Sequence, residues 1–288
     1  MTTTRNAPDM DQVAVLYHPK LDQAEELAYD VATWLQNQSR TAWITSTEIE
    51  GDERLANASL IVVIGGDGST LRAARLGMAH QTPVFGINKG RIGFLSEANP
   101  DDWPERLSHV LNGDYWLEER LMLAASLQRQ NEILGRFTAL NDVVVGRGKQ
   151  ARVLRLHLRV DGDLVTTYTA DALIVATPTG STAYSMAAGG PILPPRLQNF
   201  VVVPVAAHLS LDRAVVLHEE ATISIEVEMD HEATLMADGQ DGLPLQNGDI
   251  VIVNKHAQAT FFARVESSGY FYRRLMRRLG YVRQQPDE

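Results

Sequence analysis

The hydrophobic period changes once along this chain, and that change limits the fold more than any other feature. From Val13 to about Leu111, short apolar runs alternate with stretches of helical spacing. Val13 to Tyr17, Thr41 to Thr45, Leu60 to Ile64 and Pro83 to Ile87 read as strands. Leu21 to Gln36, with Ala24, Leu27, Ala28, Val31 and Leu35 on one face, and Asp102 to Leu111 read as helices. This alternation predicts an α/β domain with a parallel sheet. After about Leu121 the period falls to two. Leu154, Leu156, Leu158 and Val160 alternate with Arg155, His157 and Arg159 before a hairpin turn at Asp161-Gly162, and Ile223, Ile225, Val227 and Met229 alternate with Ser224, Glu226 and Glu228. Asn247-Gly248 is a further turn signal before Ile250 to Val253. The expected fold is an α/β domain over residues 1–118, completed by a returning C-terminal helix at 268–288, and a mostly antiparallel β domain over 119–267.

Composition bounds the function classes. With 288 residues, 44% of them hydrophobic, the chain can build one large or two medium cores. It has no cysteine, which excludes disulfides, thiolate metal sites and a cysteine nucleophile. The net charge of −10 disfavours non-specific nucleic-acid binding. The polar start and the lack of a long apolar stretch predict a soluble cytoplasmic protein without a membrane partner. The eight histidines show no metal-ligand spacing. One basic cluster stands out, Arg273-Arg274 with Arg277-Arg278. Phe271, Leu275 and Leu279 recur around it every four residues, as in an amphipathic helix docked on a domain. A membrane- or nucleic-acid-facing patch is the alternative reading.

Three stretches carry chemistry. In the first, the apolar run Leu60 to Ile64 opens into Gly65-Gly66-Asp67-Gly68, with Ser69 and Thr70 as candidate N-caps of a helix beginning near Leu71. Free amides and the dipole at such a helix start attract anions, and glycine lets a ligand approach the backbone. No Lys-Ser or Lys-Thr comes after it, so this is not a Walker A loop. Asp67 would repel a phosphate unless a metal bridges the two or the carboxylate takes a proton from a hydroxyl nucleophile. The alternative is a turn-forming aspartate bonded to its own backbone.

In the second, the strand Ala172 to Ala176 opens into Thr177, Thr179, Gly180, Ser181 and Thr182, then an alanine-rich helical turn ending at Gly189-Gly190-Pro191. Four hydroxyls there suit a polyhydroxyl or phosphate ligand; an over-capped helix start would use one or two. In the third, Asn141-Asp142 interrupts an apolar segment. The amide can read a base edge and the carboxylate can accept from ribose hydroxyls, or the pair forms a bulge or turn. Gly146, Gly148 and Ala151 imitate a dinucleotide fingerprint, but Arg152 to Val160 alternates like a strand where that motif requires a helix, so these residues read as a turn.

In this order, with Gly86-Ile87-Asn88, Gly90 to Leu95 and Asp238-Gly239-Gln240 between and after them, these motifs resemble the NAD kinase family over most of the chain. The glycine-aspartate-glycine turn alone is shared with diacylglycerol-type kinases; the threonine-rich stretch is far more specific. The resemblance implies a Rossmann-like first domain, and transfer of the terminal phosphoryl group of ATP, with a divalent metal such as magnesium, to the 2′-hydroxyl of the adenosine ribose of NAD. It makes Asp67 the catalytic base. It places Asp67 and Gly68 at the NAD site with Asn141 and Asp142, which hold the adenosine, and with Asp171. The run Thr182, Ala183, Tyr184, Ser185, Met186 and Ala187 lines the remainder, and Arg72, Arg152 and Gln240 fall at contacting positions. Lys89 or Arg91 would neutralise the donor, unless they are ordinary surface charges. The resemblance also implies a homodimer or homotetramer built through the β domain. The family often has Pro-His and Arg-Pro where this chain has Ala207-His208 and Arg213-Ala214. Two other functions share parts of the pattern, a lipid kinase of the diacylglycerol-kinase type and a non-catalytic NAD sensor.

Overall fold

The computed structural model describes residues 10–49, 52–90, 93–149, 152–208, 211–240 and 242–280. The chain divides into two compact units, residues 1–119 with 260–288, and residues 120–259. The first unit holds β1 (Gln12–Tyr17), α1 (Ala24–Asn37), β2 (Thr41–Ser46), β3 (Leu60–Ile64), α2 (Asp67–Met78), β4 (Val84–Ile87), α3 (Trp103–Leu111) and β5 (Trp116–Arg120). The second holds β6 (Leu123–Arg129), β7 (Glu132–Ala139), β8 (Asp142–Arg147), β9 (Leu154–Val160), β10 (Asp163–Ala170), β11 (Ala172–Ala176), α4 (Tyr184–Ala187), β12 (Asn199–Val205), β13 (Val215–His218), β14 (Ile223–Glu228), β15 (Ala233–Ala237), β16 (Leu243–Leu245) and β17 (Ile250–Lys255). The chain then returns to the first unit as β18 (Thr260–Arg264) and α5 (Tyr270–Arg278).

The first unit's sheet runs β2-β1-β3-β4-β18-β5, and the pairs from β2 through β18 are parallel. β3 is buried at every residue, which is why its sequence is a continuous apolar run and not an alternation. α1 and α3 pack on this sheet through Val31, Leu35, Leu107 and Val110, with Trp34 and Trp103 meeting edge to face. Residues 260–267, expected in the β domain, fall in the first unit, because β18 pairs parallel with β4 at Phe262 and Val84. A five-residue strand carries no mark of which sheet will take it.

The second unit is built of two antiparallel six-stranded sheets, β10-β9-β14-β17-β6-β7 and β13-β12-β11-β8-β15-β16. Their inner faces share one core, with Leu154, Leu156, Leu158, Ile223, Ile225 and Val227 from the first and Val143, Val145, Leu173, Val175 and Val202 from the second. The outward residues of β9 and β14 are the polar ones of the alternation. In the second sheet Val144, Ile174, Val201 and Val203 face the other way and are covered in part by Ala188 and Leu193. Burial on both faces explains the unbroken apolar runs of β8, β11 and β12.

α5 docks on the first unit as expected, Phe271 and Leu275 packing with Phe94, Tyr270 and Trp116. Two details differ from the four-residue pattern. Leu279 is exposed, and Arg274, read from sequence as part of a basic cluster, is buried. Its guanidinium lies over the Tyr270 ring and donates to the carbonyl oxygens of Gly93 and Ser96 and to Glu266. No described helix is long and apolar enough to cross a membrane.

Candidate active site

In the first unit the site is set by the turn that leaves β3. Gly65 N donates to the Ile87 carbonyl, holding the turn onto β4. α2 then begins at Asp67 with Gly66 as its N-cap, so the expected caps Ser69 and Thr70 lie within the helix and are buried. The first helical bond, Thr70 N to Gly66 O at 3.1 Å, closes directly on the glycine turn, and the Thr70 hydroxyl donates to the same oxygen. Asp67 thus stands at the first position of the helix, at the carboxyl end of a parallel strand, where such sheets bind ligands.

Its carboxylate does not turn back on its own backbone. It accepts hydrogen bonds from Phe94 N at 3.4 Å and Leu95 N at 3.3 Å, and Arg278 Nη1 lies 3.6 Å from Oδ2. Gly93 is packed against it so closely that a Cβ there would lie 2.7 Å from Asp67 Cγ and nearer still to Oδ1. The turn carrying these amides is anchored from beneath. Gly93 N donates to Ser96 Oγ, and Arg264, fully buried, donates to the carbonyls of Leu95 and Ser96 and pairs with Glu97 and Glu118. Gly68 is exposed beside Asp67, and Arg72 lies one turn on with its guanidinium 3.6 Å from Glu48. Lys89 reaches back to the Asp22 carbonyl and Gln23 side chain, and Arg91 lies outside the described residues.

In the second unit three segments converge at one end of the second sheet. β8 and β11 pair so that Asp142 sits opposite Ala176, and β15 brings Ala237 beside Val143. Leu140 to Asp142, Thr177 to Thr182 and Asp238 to Gln240 therefore share that end. Asp238, a residue to which the sequence pattern assigned no role of its own, is what shapes it. With φ at 50° its carboxylate accepts from the backbone amides of Leu140, Asn141 and Asp142 at 2.7 to 3.3 Å. Asp142 is buried beneath this turn, and burial, with the Asp238 charge second, pushes its carboxyl up to about 7.

The four hydroxyls expected to meet a ligand are engaged by the protein itself. Thr177 donates to the Leu140 carbonyl, Ser181 to that of Pro178, Thr182 to that of Thr179, and Thr179 accepts from Arg120. They fasten a tight backbone turn, and short hydroxyl side chains in a buried turn find backbone partners first. Gly180 sits in that turn because a Cβ would lie 2.7 Å from Asn141 Cα and closer to its carbonyl. Asn141 is partly exposed above it. Beyond the turn Ala183 and Met186 are half-buried and Tyr184 and Ala187 exposed, whereas the Ser185 hydroxyl is buried without a hydrogen-bond partner. Gln240 is exposed, its amide bonded to the Ala237 carbonyl.

Asp171 and Arg152 are not brought to this end. Asp171 precedes β11 and pairs with Arg147 at 3.1 Å, at the far end of a strand that separates it from Thr177 by about 20 Å. Arg152 is exposed, 3.5 Å from Asp230, and its carbonyl accepts from His231 Nε2. Gly148 lies just past β8 in a turn whose amide donates to the Glu232 carbonyl, and Ala151 lies outside the described residues.

An α/β unit with an aspartate at the helix start after β3, joined in one chain to a β-sandwich unit, is matched across both parts by proteins of known class. The ATP-NAD kinase N-terminal domain matches residues 43–115 and the ATP-NAD kinase C-terminal domain residues 140–265. The NAD kinase of Chloroflexus aurantiacus is 40% identical over 272 residues, covering 94% of this chain and 99% of that protein, and the NAD kinase of Heliobacterium modesticaldum is 39% identical over 91% of this chain and 96% of that protein. Among solved structures, an NAD kinase from Archaeoglobus fulgidus in complex with ATP aligns with a TM-score of 0.75 at 27% identity, covering 94% of this chain and 99% of that one. Yeast NADH kinase complexed with NADH shares the fold, with a TM-score of 0.83 at 21% identity over 97% of this chain and 91% of that one. The chain belongs to the NAD kinase family.

Proposed function

We propose that this protein transfers the terminal phosphoryl group of ATP to the 2′-hydroxyl of the adenosine ribose of NAD, with Asp67 as the base. The observation that carries the reading is Asp67 itself, a carboxylate at the first turn of a helix, held by two backbone amides and partly open to solvent. In the step, the ribose 2′-oxygen bonds to the γ-phosphorus, the bond from that phosphorus to the β–γ bridging oxygen breaks, ADP leaves with the bond's electrons, and the hydroxyl proton passes to Asp67. The protein's contribution is positioning and charge. Asn141, above the turn shaped by Asp238, and the segment from Ala183 to Ala187 would hold the dinucleotide.

Among the described residues no three carboxylates or imidazoles converge as a cage for a metal. Magnesium that enters on a triphosphate is held by the phosphates and its own waters, so no protein cage is required, and the partly open Asp67 is left to take the proton. When bound, the ion would neutralise charge on the transferring phosphates. We extend the reading to a homo-oligomer in the cytoplasm; exposed Ile133, Leu134, Leu164 and Val165 on the edge strands β7 and β10 support self-association.

The test is NADP formation from NAD, ATP and Mg²⁺, for the wild type and Asp67→Asn. The reading expects product from the wild type and a fall in kcat of roughly 10² to 10⁴ in the variant, with NAD affinity within a few-fold. An unchanged kcat would remove Asp67 as base, and folded protein that binds NAD without turnover would make this a sensor.

A further inference from the structure

An anionic base creates a problem for a kinase, because the same carboxylate that takes the hydroxyl proton repels the incoming phosphates. Magnesium arriving on the triphosphate would offset part of the phosphate charge, and a protein cation beside Asp67 would offset the charge of the carboxylate itself. Of the two side chains read from sequence for this task, Lys89 bonds the Asp22 carbonyl and Gln23, and Arg91 lies outside the described residues; Arg72, read as an NAD contact, pairs with Glu48. Arg274 is buried with its donors spent on Gly93, Ser96 and Glu266.

Arg278 is different. Its guanidinium lies over the ring of Phe94 at 4.9 Å, the residue whose own amide donates to Asp67, and Nη1 is 3.6 Å from Asp67 Oδ2. That separation is an ion pair without a hydrogen bond, so the fork of N–H donors is not committed to the carboxylate. The side chain is 55% exposed, within reach of an entering ligand. Its base is rigid. Arg274, one helical turn earlier on the same face, is tied to the 93–96 turn, and Tyr270 donates to Glu118. A phosphate under attack by a hydroxyl that reaches Asp67 would lie on the side of the carboxylate where a planar donor fork suited to two phosphate oxygens stands 3.6 Å away.

Building on the kinase reading, we propose that Arg278 of the C-terminal helix binds the terminal phosphate of the phosphoryl donor and supplies the positive charge that offsets Asp67 during transfer. The chemistry recognised is a terminal phosphate on a polyphosphate chain, whether that of ATP or of inorganic polyphosphate.

The experiment uses the full-length protein with Arg278→Met, Arg278→Lys and, as a control on the exposed side of the same helix, Arg273→Met. Binding of a non-hydrolysable ATP analogue and of ADP is measured by titration calorimetry, and NADP formation is measured with ATP and with polyphosphate as donors. The proposal expects Arg278→Met to weaken the triphosphate analogue at least tenfold and ADP less than threefold. It expects kcat/KM for the donor to fall roughly 10²-fold, KM for NAD to stay within threefold, Arg278→Lys to recover part of the loss, and Arg273→Met to behave as wild type. If polyphosphate turnover falls as ATP turnover does, the terminal phosphate is the shared target; if only ATP suffers, the contact is to the nucleotide and the proposal is wrong. Equal loss of analogue and ADP binding, donor kinetics within threefold of wild type, or a change confined to the pH profile of kcat would each overturn it. The analogue and ADP titrations need no turnover, so a wild type that forms no NADP would refute the kinase reading while still answering the question about Arg278.

Discussion

Replacing Gly93 by alanine tests whether the placement of the Asp67 carboxylate, and not only its presence, sets the rate. The backbone at Gly93 is not in the left-handed region, so an alanine there meets no conformational strain; what it meets is Asp67. The added Cβ would lie 2.7 Å from Cγ and 2.8 Å from Oδ2, where ordinary contact begins at 3.4 Å. The carboxylate must therefore retreat by about 1 Å, and its two amide bonds, already 3.3 and 3.4 Å long, cannot follow. Displacing a reacting group by about 1 Å costs on the order of 10²-fold in rate. Because Asp67 is partly exposed, it can swing outward, and the stability cost is limited to two weak hydrogen bonds, about 1 to 3 kcal/mol. Steady-state NADP formation should show kcat reduced roughly 10²-fold with KM for NAD little changed. In the double variant with Asp67→Asn the further loss should vanish, since the base is already gone. A kcat for Gly93→Ala within threefold of wild type, or losses that multiply in the double variant, would refute the reasoning.

The same geometry yields three more expected outcomes. Asp142, raised by burial to about 7 against an ordinary value near 3.8, favours folding most below pH 3.8, and that contribution is lost as pH rises to 7, on the order of 4 kcal/mol in all. Asp142→Asn, which does not titrate, should therefore gain in Tm relative to wild type between pH 5 and pH 8; a difference that does not vary with pH would contradict the raised carboxyl. Gly180→Ala pushes a methyl into the Asn141 backbone and should raise KM for NAD about tenfold while costing about 1 to 3 kcal/mol, read by kinetics and urea unfolding together. Arg264→Leu removes the buried guanidinium that bridges Glu97 and Glu118, leaving Glu97 to Arg106 and Arg274 and Glu118 to the Tyr270 hydroxyl, and should destabilise by about 3 to 5 kcal/mol in denaturant unfolding; a loss under 1 kcal/mol would show that the bridge contributes little.

The order of the two units, the buried β3 strand and the aspartate after it were legible in the residues alone, because hydrophobic period and glycine placement are local properties that survive into any compact fold. The same local signals pointed to Asn141-Asp142 and to the 177–182 turn. They suggested ligand groups for hydroxyls that donate instead to backbone carbonyls of their own turn and of Leu140 and Leu193. Which charges matter was settled by packing across the whole chain. Arg264 and Arg274 lie some 170 to 180 residues from the turn they hold, Asp238 is nearly 100 residues from the amides it gathers, and Arg278 meets Asp67 from the other end of the chain. No periodicity or spacing encodes such pairings. A buried charge is stabilised by whichever opposite charge or backbone dipole the packing brings within about 3 Å, and that proximity exists only once the sheet has closed and β18 has carried the last helix back to the first unit.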